Sequence, residues 1–226
     1  MNKPLKYILF VFGCIAILWT VCRITNALQL FSIPTISNYP TLKPGDKILA
    51  SSLVKPKRFD LICYYAEVPE QGRQIWIHRL CGIGGDKIEI RDGVLFVNDQ
   101  NADNNLLLSH SYILSTDELE KARKLDKIDD KYIEPTLSDS QATFLSDKLI
   151  QEHSIKARRQ TLPRDFIDET ITRIYSHEWN QDHFGPIIVP KDKFFVLGDN
   201  RLYSMDSRFL GFIDKKDYVA TMLKTK

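Results

Sequence analysis

The run Tyr7–Cys22, YILFVFGCIAILWTVC, carries no charged residue and is closed on either side by Lys6 and Arg23. A segment this apolar must be buried in protein or in lipid, which constrains the chain more than any other feature. A bilayer span takes about 20 apolar residues. Pro4-Leu5 adds length on one side, and Lys6 and Arg23 can reach back to the headgroups. A cleaved secretory signal needs a small-x-small site soon after the run, and Arg23-Ile24-Thr25-Asn26 does not supply one. A buried core helix is the remaining alternative, disfavoured by the uniform apolarity and the terminal position. The pattern predicts a transmembrane signal-anchor helix over residues 7–27. Lys3 and Lys6 precede it and Arg23 directly follows, which predicts residues 1–6 in the cytoplasm and the bulk of the chain outside.

Beyond the anchor, 226 residues leave room for one domain and an elaboration. At 43% hydrophobic and 27% charged, the chain has the composition of a folded protein and not of a disordered one. A formal charge of +2, with no basic stripe interleaved with aromatics, predicts no nucleic-acid partner. Cys14 and Cys22 lie within the apolar run and read as small hydrophobes. Cys63 and Cys81 could pair outside the cytoplasm, although two cysteines make no framework. With neither a CxxC nor an HExxH spacing, no metal and no cofactor is expected.

From Thr35 to about Asn98 short strand-like runs alternate with turn signals: Lys43-Pro44-Gly45-Asp46, Lys55-Pro56, Gly84-Gly85-Asp86 and Asp92-Gly93. Asp92-Gly93 between KIEIR and VLFVN predicts a hairpin. Residues 100–183 change character. Polar residues dominate, and Ser115-x-x-Glu118 and Ser138-x-x-Gln141 are capping-box candidates that would open helices over TDELEKARKL and DSQATFLSDKLI. Strand character returns after Phe184-Gly185-Pro186. The expectation is a mainly β protein, a folded antiparallel sheet or partly open barrel, with an N-terminal transmembrane helix and an inserted α/β subdomain. Its β core would be split into residues 28–99 and 184–226 around an accessory subdomain at 100–183.

Three segments carry candidate chemistry: TISNYPTLKPGD (35–46), IHRLCGIGGDKIEI (77–90) and FFVLGDNRLYSMDSRFLGFI (194–213). In isolation Ser37 marks a turn and His78 is a strand histidine; their order and spacing together point further. The boxes Ser37–Asp46, His78–Asp86 and Gly198–Gly211 resemble those of type I signal peptidases, the bacterial leader peptidase family of serine endopeptidases. The long, nearly unbroken third box makes the resemblance specific, and the N-terminal anchor and the insertion agree with it.

The resemblance implies a membrane-anchored serine endopeptidase that removes signal peptides from exported preproteins. Ser37 is then the nucleophile, and a serine hydroxyl needs a neighbouring base to become one. Similar enzymes place a lysine before the arginine of the second box. Here His78 stands there, followed by Arg79. Histidine starts near pKa 6.5 and needs less tuning than lysine, but it is shorter and must approach the serine more closely. Signal peptidases of the endoplasmic reticulum resemble this arrangement in using Ser-His. By the same resemblance Thr35 offers an oxyanion donor, Ser204 holds the base, and Asp206 or Asp199 orients it while pairing with Arg208 and Arg79. Asn38 departs from the methionine usual there, which is expected to alter packing beside the cleft.

The implied partners are exported preproteins and the lipid bilayer, for a monomer in the bacterial cytoplasmic (inner) membrane. It would be single-pass, with its catalytic domain outside. Arg23 and Ser37 are 14 positions apart, so even an extended chain keeps the serine within about 50 Å of the span. Leu28, Leu30, Phe31, Ile33, Ile36 and Tyr39 could form a rim that dips into lipid, although some of them must be core. A catalytically inactive relative, or one that matures only a few envelope proteins, is the alternative reading.

Overall fold

The computed structural model describes residues 3–24, 27–68, 72–136 and 138–223. Helix α1, Lys3–Ile24, is a 22-residue apolar rod whose described side chains are exposed all round. Its window Pro4–Val21 has a mean hydropathy of 1.9, long and apolar enough to cross a membrane. Residues 25–26, near the end of the expected span, lie outside the described residues.

Strands β1 (Gln29–Ser32), β2 (Lys47–Ser51), β3 (Leu61–Val68) and β4 (Gly72–Ile83) come first. The hairpin strands β5 (Lys87–Arg91) and β6 (Val94–Val97), then β7 (Gln100–Asn101), follow. Arg91 pairs with Val94 across Asp92 and Gly93, at φ 48° and 73°, so this is the two-residue turn expected from Asp-Gly. Next are β8 (Ser109–Ser115), α2 (Thr116–Leu125), β9 (Glu134–Pro135), β10 (Ser140–Ser146), α3 (Asp147–Glu152), β11 (Ala157–Arg159) and α4 (Glu169–Tyr175). The chain closes with β12 (Phe184–Ile188), β13 (Lys193–Leu197), α5 (Ser207–Leu210), β14 (Ile213–Asp214) and β15 (Tyr218–Met222).

Ser115 caps α2 by accepting from the Glu118 N–H, as its sequence signature predicts. The second capping signature is overturned. Ser140–Ser146 is a strand, paired with β8 from Ser140↔Ser115 to Ser146↔Ser109, and helix begins only at Asp147. Thr143 and Phe144 suit a pleated, half-buried surface, and a full ladder outweighs a local cap.

The strands form three sheets, ordered β1-β2-β15-β3-β4-β13-β14, β11-β8-β10-β9 and β12-β5-β6-β7. All pairings within them are antiparallel, and the seven-stranded sheet is open, with β1 and β14 at its edges. The late strands β13 and β15 pair back onto β4 and β3, so the segments carrying the second and third boxes become neighbours in one sheet.

Strand alternation gives that sheet two buried faces. Leu61 and Cys63 join Ile33, Leu42, Ile48, Ala50 and Val219 on one side. Ile62 and Tyr64 join Leu80, Phe194 and Val196 on the other. Burying each Leu or Ile in full stabilises the fold by about 1.5–3 kcal/mol. Cys63 and Cys81 are both buried and free, packed in different clusters, and burial pushes both thiols up to about 12. They are inert core residues and not a disulfide.

Candidate active site

Ser37 lies in the loop between β1 and β2, half-buried. The loop is closed at its base by the Ile33 N–H donating to Asp46 O (2.9 Å) and the Gly45 N–H donating to Ile33 O (2.8 Å). The Ser37 carbonyl accepts from the Asn200 N–H at 3.0 Å, tying the first box to the third. Asn38 is buried, and its amide donates to Ile77 O at 2.7 Å. A residue expected to alter packing therefore links the serine loop to the strand that carries His78. Two residues beyond the serine, the Tyr39 hydroxyl hydrogen-bonds to Asp126, which also pairs with Lys43 at 3.0 Å.

His78 sits on β4 opposite Ile62, so its ring shares a face with Tyr64, two residues further along β3. It is 3% exposed. Nε2 is 3.3 Å from Ser204 Oγ and Nδ1 is 2.7 Å from Tyr64 Oη. Trp76 meets the ring edge-on, centroids 6.0 Å apart. Burial pushes the imidazole down to about 4, against the upward pull of Asp206 and Asp199. The ring is therefore neutral at pH 7 and has a nitrogen lone pair to offer.

Gly198 explains how serine and histidine segments meet. A Cβ at this position would lie 2.2 Å from Ser204 Oγ and 2.4 Å from Ser37 O. Ser37 and Ser204 thus flank one bare Cα, which admits no side chain. Thr35 Oγ1 donates to Ser37 Oγ at 3.3 Å, so its hydroxyl stands next to the nucleophile candidate. Among the described residues no hydrogen bond joins Ser37 to His78; their side chains bond to Thr35, and to Ser204 and Tyr64.

The two aspartates are committed to arginines. Asp199 accepts from Arg79 Nε at 2.6 Å and from its terminal nitrogen at 2.5 Å, and both residues are buried. Asp206 accepts from Arg208 Nε (2.9 Å), its terminal nitrogen (2.9 Å) and the Gly198 N–H (3.0 Å). Burial alone would raise the Asp206 carboxyl, but the Arg208 charge and hydrogen bonds hold it below its ordinary value. Neither carboxylate hydrogen-bonds to the imidazole. Of the expected orienting residues, Ser204 touches the ring, and Asp206 acts on it through space. The residue that sequence reasoning missed is Tyr64: within LICYYAEV it reads as an ordinary strand aromatic, and only the β3–β4 register shows it beside His78.

A serine hydroxyl, a buried neutral imidazole and a flanking threonine hydroxyl on a β scaffold are groups of the kind that serine hydrolases use. The chain belongs to the signal peptidase family: the family described as "Signal peptidase, peptidase S26" matches residues 5–224. It is accordingly a serine endopeptidase of the signal peptidase I type. The signal peptidase I of Buchnera aphidicola subsp. Baizongia pistaciae is 30% identical over 216 residues, spanning 85% of this chain and 67% of that protein. The signal peptidase I of Aquifex aeolicus is 28% identical over 195 residues, spanning 84% and 72%. A solved signal peptidase I from Enterococcus faecalis V583 has 22% identity and a TM-score of 0.37, covering 75% of this chain and 98% of that one. The family implies preprotein substrates, and the apolar α1 fits a membrane-anchored protein.

Proposed function

We propose that the enzyme cleaves signal peptides through an acyl-enzyme on Ser37, with His78 as general base. His78 Nε2 takes the Ser37 proton as Oγ bonds to the scissile carbonyl carbon. The Ser37 N–H and the Thr35 hydroxyl donate to the developing oxyanion. The imidazolium then gives its proton to the leaving amine, and a water repeats the sequence to release the acyl group. Ser204 steadies Nε2 between transfers, while the Arg79–Asp199 and Arg208–Asp206 pairs hold the loop after β13. The observation that supports this reading is the Gly198 junction, where the Ser37 carbonyl and the Ser204 hydroxyl close on one Cα while that hydroxyl lies 3.3 Å from His78 Nε2.

We further propose the arrangement in the cell. The helix anchors the chain in the bacterial cytoplasmic membrane with its N-terminus inside and the β core, residues 28–99 and 184–226, outside. Residues 100–183 form an accessory subdomain, and the enzyme acts as a monomer. The separate hydrogen bonds of Ser37 and His78 are what favour the other reading, a non-catalytic relative. One assay separates them: purified full-length protein in detergent micelles, given a preprotein. Ser37→Ala and His78→Ala are each expected to abolish cleavage. Undiminished cleavage by either variant removes that residue from the mechanism, and an inactive parent protein favours the non-catalytic reading.

A further inference from the structure

Triad-like serine enzymes orient their imidazole with a carboxylate, and here both nearby carboxylates are occupied by arginines. The Nδ1 position belongs instead to a neutral phenol. We propose that Tyr64 is the positioning residue for His78: its hydroxyl accepts from Nδ1–H and so reserves the Nε2 lone pair for the Ser37 proton. This rests on the reading of His78 as base.

The contact is short, 2.7 Å, and wholly enclosed, Tyr64 being 0% exposed and His78 3%. A neutral imidazole carries one N–H, and the nitrogen that receives a proton must be the one without it. Nε2 faces Ser204, which shares the Gly198 junction with Ser37; Nδ1 faces away, into the β3 side. Reactivity at Nε2 therefore requires hydrogen on Nδ1, and Tyr64 Oη, 2.7 Å away, is the group to which the proposal gives the acceptor role. When Nε2 has taken the Ser37 proton, the imidazolium carries two N–H groups, one toward Tyr64 and one toward Ser204. Tyr64 keeps its own proton throughout, because burial, with Asp206 adding, raises its hydroxyl far above neutrality. Around the ring stand Tyr64 on β3, Asp199 after β13, and Asp206 and Arg208 at α5, so the phenol is the orienting group that brings no charge. A phenol that accepts from Nδ1–H raises the basicity of the ring less than a bonded carboxylate does, which agrees with an imidazole that burial leaves low.

The experiment uses the full chain in micelles and a peptide with alanine at −1 and −3 of its cleavage site. Tyr64→Phe keeps the ring and removes the hydroxyl. We expect kcat to fall by at least about tenfold with KM unchanged, and the acid limb of kcat/KM to move to lower pH. Nitrogen-15 spectra of the parent protein should show His78 with hydrogen on Nδ1, and those of the variant a mixture of tautomers. A parent protein with hydrogen on Nε2 overturns the proposal, a result independent of how any variant folds. Unchanged kcat and tautomer in Tyr64→Phe also overturn it, while an inactive His78→Ala leaves the base assignment standing. Activity in His78→Ala would overturn the base assignment itself.

Discussion

Lowering the pH tests the buried imidazole directly, through both stability and rate. His78 is held at about 4 against an ordinary 6.5. At about 1.4 kcal/mol per pH unit that difference corresponds to about 3 kcal/mol. The sign follows from which state binds the proton. Above pH 6.5 neither folded nor unfolded chain protonates this histidine, so it leaves stability unchanged there. Between 6.5 and 4 the unfolded chain takes the proton and the folded chain refuses it, so stability falls as the pH falls. Below 4 both states are protonated and the loss is complete. His110 is also lowered, by burial against the pull of Asp147, and contributes with the same sign. A comparison of parent protein with His78→Gln cancels that contribution, because His110 is present in both. Urea unfolding in micelles at pH 7 and pH 4 should show the parent losing about 3 kcal/mol more than the variant. The rate follows the same group: kcat/KM should stay level from pH 7 to about pH 5 and fall around pH 4. An acid limb near 6.5, together with equal stability losses in parent and variant, would refute the buried-imidazole argument.

Two substitutions probe the scaffold around the site. Gly198→Ala places a methyl group 2.2 Å from Ser204 Oγ and 2.4 Å from the Ser37 carbonyl, and the latter is backbone that cannot step aside; cleavage should drop by at least about a hundredfold, equivalent to about 2.7 kcal/mol, and parent-like kinetics would contradict the junction. Asp206→Asn leaves Arg208, 1% exposed, without its buried counter-charge. Urea unfolding should then show a loss of about 3–5 kcal/mol, whereas a loss below about 1 kcal/mol would mark the pair as one of little consequence.

The parts of this molecule legible in its sequence are those specified by local chemistry. Asp92-Gly93 can adopt the positive φ angles that a two-residue hairpin demands, and Ser115 supplies the oxygen that a helix start needs. Gly198 belongs to the third box, though its reason, a close approach by two other segments, is visible only in space. What stayed hidden depends on partners far along the chain. Ser138-x-x-Gln141 is a helix-start signature, yet Ser140–Ser146 becomes strand because β8 is there to pair with it. Asp126 reaches Tyr39 across a separation of 87 residues, and no motif marks either for the other.

Tyr64 and Asn38 show where that boundary matters for function. Both meet β4: Tyr64 by register, two pairs from that of His78, and Asn38 by its hydrogen bond to Ile77 O. A central strand, hydrogen-bonded on both sides to β3 and β13, is among the most rigid places from which to hold a base. The short imidazole cannot reach out as a lysine stem can, so the serine loop must be brought to the strand. The bond from Asn38 to Ile77 O ties the loop to β4, and the Ser37 carbonyl, accepting from the Asn200 N–H, ties it to the segment after β13. In the proposed mechanism His78 is the base, and the Asn38 amide ties the loop that carries Ser37 to the strand that carries this histidine.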